Sequence, residues 1–87
     1  MTKKEILKEL EETAKKLSYE VSYEALKKTG PFVKSGFVKL NDRKIILIDK
    51  ELNVNMKVDV MLNILHTENL EEVYVKPFVK DMILNFK

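Results

Sequence analysis

The spacing of the apolar residues changes near residue 18, and this change is the feature that most constrains the fold. Between residues 3 and 17 the apolar side chains recur every three to four positions, as they do on one face of a helix. Between residues 19 and 24 they alternate with polar side chains, as they do on a strand with one buried face. The helical set is Ile6, Leu10, Ala14 and Leu17, and the strand set is Tyr19, Val21 and Tyr23. The first quarter of the chain is therefore predicted to be a helix followed by a strand.

A hairpin is predicted for residues 36–49. Two apolar-rich runs meet at Asn41 and Asp42, residue types that tolerate the left-handed backbone angles of tight turns. The second run contains IILI, which is apolar at every position and is typical of a central strand covered on both faces. Residues 24–36 contain both glycines and one proline, so they predict a long connection ahead of the hairpin.

Two more helices are predicted after the hairpin. Asn53 is a suitable N-cap for the first, and Pro77 suits the first turn of the second. The element order is then α-β-β-β-α-α, which predicts an α+β fold with a small antiparallel three-stranded sheet and packed helices. In the predicted core, one face of the helix that begins after Asn53 packs against the N-terminal helix and the last strand. These residues are Val58, Met61, Leu62 and Leu65 on one side, and Ile6, Leu10, Ile46 and Ile48 on the other.

Size and composition narrow the class of protein. A chain of 87 residues supports one core, so residues 1–87 are predicted to form a single domain. The absence of cysteine excludes disulfides and thiolate metal sites within this sequence. The charged first residues do not resemble a signal peptide and no apolar run is long enough to cross a membrane, which favours a cytoplasmic protein.

His66 is the only histidine, and it ends the sequence LNILH at residues 62–66. The segments SYEVSYEAL, SGFVKLNDRKIILIDKEL and VMLNILH follow one another within residues 18–66, and in this order they resemble the front of an ImmA/IrrE-type zincin-like metallopeptidase domain. That resemblance implies an H-E-x-x-H motif at residues 62–66, where the histidines bind zinc and the glutamate polarises water. Here Leu62 replaces the first histidine and Asn63 replaces the glutamate, so the resemblance implies a degenerate domain. With a single histidine and no cysteine, the sequence predicts no metal, no cofactor and no enzymatic activity.

A second apolar row on the predicted second helix is the first candidate binding surface. Met56, Val60 and Ile64 lie roughly 100–140° or more from the core-facing residues of that helix. If they remain exposed, they predict a site for a protein partner or for a homo-oligomer. If the terminal helix covers them, they belong to the core.

A basic segment is the second candidate surface. Positive charge is concentrated between residues 27 and 44, with Phe32 and Phe37 among the basic residues, as in proteins that bind single-stranded nucleic acid. The other interpretation is a lysine-rich edge that prevents aggregation of strands. The main functional prediction is a non-catalytic protein-interaction or self-association module, and the alternative is a nucleic-acid-binding module. The basic residues are Lys27, Lys28, Lys34, Lys39, Arg43 and Lys44.

Overall fold

A computed structural model describes residues 2–26 and 35–86 of the chain. Over these residues the order of elements is helix, three strands and two helices, so the α+β class and the order of elements are confirmed. The elements are α1 (Lys3–Lys16), β1 (Tyr19–Glu24), β2 (Gly36–Leu40), β3 (Arg43–Asp49), α2 (Val54–Leu65) and α3 (Pro77–Leu84). Part of the predicted connection, residues 27–34, lies outside the described residues.

The ends of α1 follow from local hydrogen bonds. The hydroxyl of Thr2 accepts from the backbone N–H of Glu5 at 3.2 Å, and the carboxylate of Glu5 accepts from the backbone N–H of Thr2 at 3.3 Å. This reciprocal pair satisfies two N–H groups that the first turn of a helix leaves without partners. At the other end Ser18 has a φ of 70°, which stops the helix and directs the chain into β1.

The sheet is mixed, so the predicted fully antiparallel arrangement is wrong. Its strand order is β1-β3-β2, with β2 antiparallel to β3 and β1 parallel to β3. The hairpin turn at Asn41 and Asp42 is confirmed, and Asn41 has the left-handed φ of 54° that the residue type allows. The most apolar strand, β3, takes the central position as predicted. The strands β1 and β2 therefore occupy opposite edges of the sheet.

The helices α1 and α2 pack against one face of the sheet, and α3 packs against α1 and α2. Ile46 and Ile48 of β3 lie on this inner face and share one buried cluster with residues of α1, α2 and α3. All eight residues of the predicted core are buried, which confirms that prediction: Ile6, Leu10, Ile46, Ile48, Val58, Met61, Leu62 and Leu65. The prediction that β3 is covered on both faces is not matched by the described helices, because the alternate residues Ile45 and Leu47 lie on the opposite, outer face and are only partly buried.

Local capping also sets the start of α2, and the core fixes α3. The side chain of Asn53 accepts from the backbone N–H of Met56 at 2.9 Å, so Asn53 is the predicted N-cap. Pro77 occupies the first turn of α3, where its missing N–H has no structural cost. Val79 and Ile83 of α3 are fully buried in the common cluster. None of the described helices has the length and apolar character needed to cross a membrane.

Candidate functional site

The apolar row of α2 is not a uniform surface. Met56 is 49% exposed, Val60 is partly buried at the margin of the core, and Ile64 is buried. The exposure therefore decreases along the helix towards its C-terminal end. Only Met56 presents a large apolar area to solvent, so a contact at this row would centre on the first turn of α2.

The structure divides the described members of the basic segment between the two faces of the sheet. Arg43 lies on the outer face and makes a two-pronged contact with the carboxylate of Glu20, at 2.7 Å and 2.8 Å. This contact lowers the pKa of Glu20, chiefly through the hydrogen bond from Arg43. Lys39 and Lys44 are cross-strand neighbours on the inner face. The remaining three residues, Lys27, Lys28 and Lys34, lie outside the described part of the chain.

His66 occupies the C-cap position of α2. Its ring centroid lies 5.5 Å from that of Phe86 at a tilted angle, and the side chain is exposed. Leu62, at the position of the first histidine of an H-E-x-x-H motif, is buried in the core, while Asn63 is exposed. No three metal-ligating side chains cluster within residues 2–26 and 35–86. His66 therefore contributes a ring contact to the packing between the ends of α2 and α3.

An apolar strip on the outer face of the sheet is a surface that the sequence reasoning missed. Val38 and Ile45 are cross-strand partners, and Leu40 and Leu47 extend the strip along β2 and β3. Together they line a shallow depression of about 430 Å³ that is bounded by Glu20 and other polar residues of β1. Val38 and Leu40 are exposed, Leu40 by 52%. The sequence signal for this strip is the IILI run. Its alternate residues face the second side of the sheet, which the described helices do not cover.

The free edge of β2 adjoins this strip. Since β2 ends the strand order, its outer edge has no strand partner among the described residues. In a hairpin with a two-residue turn the flanking pair, here Leu40 and Arg43, exchanges both backbone hydrogen bonds, and the pattern alternates along the strand. We infer that the N–H and C=O groups of Phe37 and Lys39 point to the free edge. An exposed edge of this kind can pair with another strand.

A groove lies on the inner face, between the hairpin and the C-terminal part of α2. It has a volume of about 510 Å³. Tyr19 forms its floor: the hydroxyl donates to the carboxylate of Glu68, the ring lies 5.7 Å from that of Phe37 in an edge-to-face contact, and the Nζ of Lys44 lies 4.5 Å from the ring centroid. Burial and the hydrogen bond to Glu68 raise the pKa of Tyr19 above its ordinary value. The groove is lined by Tyr19, Gly36, Phe37, Lys39, Lys44, Asn63, Ile64, Thr67 and Glu68.

Comparisons with known proteins give no match. No model of a protein family matches the chain, and no curated protein or solved structure matches it at a significant level. The resemblance of residues 18–66 to a zincin-like domain therefore stays a prediction that depends on the order of its segments.

Proposed function

We propose that this protein is a non-catalytic interaction module that self-associates through the β2 edge, with the apolar strip of the outer face continuing across the contact. The observation that carries the proposal is the coincidence of the two features on one strand. Val38 and Leu40 expose apolar side chains to solvent, and the same strand has an edge without a partner among the described residues. Backbone pairing would join two sheets, while the apolar strip would become continuous between them.

The sequence of β2 favours a second copy of the chain as its partner. An antiparallel pairing with its two-fold axis at Val38 pairs all five residues of Gly36–Leu40 with residues of the same strand in the other copy. Phe37 then lies opposite Lys39 of the second copy. The backbone N–H and C=O groups of these two residues point to the free edge, so they would form the hydrogen bonds between the copies. A two-fold axis at Lys39 would instead place two ammonium groups opposite each other, which is unfavourable.

The side chains on the outer face also suit this register. Leu40 lies opposite Gly36 of the second copy, and the space where a side chain of Gly36 would stand is open, with no atom of the described residues within 4 Å. The leucine side chain can therefore lie over the glycine without a clash. Val38 meets Val38 of the second copy on the axis, and β-branched residues are favourable cross-strand neighbours.

The mass of the purified protein in solution, measured by sedimentation or light scattering over a range of concentrations, tests this proposal. We expect the wild-type protein to approach twice the chain mass of 10.2 kDa. Val38→Lys should shift the dissociation constant upward by about tenfold or more, because it replaces the central apolar contact with two like charges. Val38 is exposed in the isolated chain, so the far-ultraviolet circular dichroism should not change.

Met56→Lys is the matched control, since it introduces the same charge at an exposed apolar residue on α2. It should leave the mass unchanged. A wild-type protein that stays monomeric, or a dimer that survives Val38→Lys, would contradict the proposal. If Met56→Lys alone dissociates the dimer, the contact lies on the apolar row of α2 instead.

Nucleic-acid binding stays the alternative function. It is supported by Phe37, Lys39 and Lys44, which share the inner groove. It is weakened by Arg43, because this residue lies on the opposite face and its guanidinium is occupied by Glu20. Binding to single-stranded nucleic acid should weaken steeply with added salt, as counterions are released from each neutralised phosphate.

A further inference from the structure

The groove beneath the hairpin has the size of a small-molecule site. Its volume of about 510 Å³ falls within the range of roughly 300–1,000 Å³ typical of ligand pockets. It combines aromatic rings at one wall with polar side chains at the other, where Asn63 and Thr67 of the α2 end are exposed. These are the components of a site that holds a partly apolar ligand in one orientation.

The charge in this groove is unbalanced. Lys39 and Lys44 lie directly opposite each other across β2 and β3, an arrangement in which like charges destabilise a sheet. Within the described ranges neither lysine forms a salt bridge. The carboxylate of Glu68 is the single acidic group of the lining, and it accepts a hydrogen bond from the hydroxyl of Tyr19. An anion placed between the two ammonium groups would relieve their repulsion.

An apolar ring stands beside the two lysines. Phe37 is 46% exposed, although its ring is fixed by the edge-to-face contact with Tyr19. A flat ligand can stack on an exposed ring of this kind, and such stacking is a main source of affinity for nucleobases. On the opposite wall, the amide of Asn63 can both donate and accept. The hydroxyl of Thr67 donates to the carbonyl of Ile64 at 3.0 Å, so its oxygen can still accept.

We propose that this groove binds a mononucleotide, with the phosphate between Lys39 and Lys44 and the base against Phe37. The two lysines select the anionic group, and Phe37 selects a planar one. Asn63 and Thr67 supply hydrogen bonds at the edge of the base. This site adjoins the self-association surface, because Phe37 and Lys39 would also pair across the β2 edge, but the groove lies on the opposite side of the sheet from the apolar strip.

Titration with adenosine 5′-monophosphate, followed by amide chemical shifts in ¹H–¹⁵N spectra, tests the proposal. Shifts should be confined to residues of the groove, and adenosine without phosphate should bind about tenfold more weakly. Lys39→Gln should raise the dissociation constant for the nucleotide by about tenfold, through loss of one charged contact. Phe37→Leu should weaken the binding of the nucleotide but leave the chemical-shift response to inorganic phosphate unchanged.

Lys50→Gln is the matched control, because Lys50 is an exposed lysine that follows the far end of β3. It should not affect the titration. The proposal is wrong if the groove amides do not respond at millimolar nucleotide, if inorganic phosphate binds as tightly as the nucleotide, or if Lys50→Gln weakens binding as much as Lys39→Gln. Repeating the titration with Val38→Lys separates the result from self-association, since that side chain faces the other side of the sheet.

Discussion

The hydroxyl of Tyr19 should contribute measurably to stability, and Tyr19→Phe isolates its contribution. Tyr19 is 7% exposed, and its hydroxyl joins β1 to Glu68 in the segment after α2. A hydrogen bond to a charged group contributes about 1.5–3 kcal/mol to folding. Glu68 is only partly buried and regains water when the hydroxyl is removed, so we expect a loss of about 1–2 kcal/mol in the free energy of unfolding. The ring contacts with Phe37 and Lys44 are retained in the variant.

The contribution of this hydroxyl should depend on pH. Burial, followed by the hydrogen bond to Glu68, raises the pKa of Tyr19 above its ordinary value of 10.0. A group whose pKa is raised by folding stabilises the native state fully below its unfolded pKa, and the stabilisation is lost as the pH rises towards the folded value. The difference in stability between the wild type and Tyr19→Phe should therefore stay constant up to about pH 9 and narrow above about pH 10.

Urea denaturation followed by circular dichroism, at several values between pH 7 and pH 11, measures both effects. Tyr74→Phe is the matched control, because it also removes a tyrosine hydroxyl, but from a residue that is 69% exposed. Its stability should differ from that of the wild type by less than about 0.5 kcal/mol. The reasoning would be refuted if Tyr19→Phe were no more destabilising than Tyr74→Phe, or if the difference did not narrow at alkaline pH.

Two further predictions concern the elements that support the groove and the core. Asn53→Ala removes the side-chain cap of α2 and should lower the free energy of unfolding by about 1 kcal/mol, whereas Asn55→Ala, two residues further on and exposed, should have little effect in the same denaturation assay. Leu10→Ala leaves a cavity at a fully buried position of α1 and should cost about 2–5 kcal/mol, against less than about 0.5 kcal/mol for Leu84→Ala at an exposed position of α3. Equal losses within either pair would contradict the packing described here.

The helices could be predicted because their signals are local. Asn53 and Pro77 start the later helices as predicted, and the capping pair of Thr2 and Glu5 that starts α1 is equally local. The core face of α2 follows from the 3.6-residue period, and each of its predicted residues is buried. Such signals depend on residues within one or two turns of each other, so they can be recognised without knowledge of the tertiary fold.

The direction of β1 could not be predicted in the same way. Alternation at Tyr19, Val21 and Tyr23 fixes which side chains are buried, but both a parallel and an antiparallel neighbour satisfy it. The pairing is decided by which strand takes the centre of the sheet. The all-apolar β3 is central, and β2, which carries Lys39, is placed at an edge where its ammonium group reaches solvent. The strand β1 then pairs with the remaining edge of β3, in the parallel direction.

The prediction for the outer face is wrong because an all-apolar run such as IILI is typical of a strand that is buried on both sides. Ile46 and Ile48 do lie in the core, but among the described helices α1 and α2 pack against that inner face, and α3 packs against α1 and α2. No described helix remains to cover Ile45 and Leu47. An all-apolar strand in a chain this short thus indicates that its outer face is covered either by a second layer of helices or by a partner. The number of helices and the side of the sheet on which they pack distinguish these two possibilities.

The two proposed surfaces follow from the alternation of side chains along a single strand. In β2, Val38 and Leu40 face outward on the apolar strip, while Phe37 and Lys39 face the groove. Because neighbouring residues of a strand point to opposite faces, a substitution at an even-numbered position should affect self-association through the apolar strip. A substitution at an odd-numbered position should affect ligand binding, and it also alters the Phe37–Lys39 pair of the proposed contact. A single-residue slip of β2 against β3 would exchange the two sets and abolish both properties together. The two-residue turn at Asn41 and Asp42, which fixes this register, is therefore as important to both proposed functions as the side chains that make the contacts.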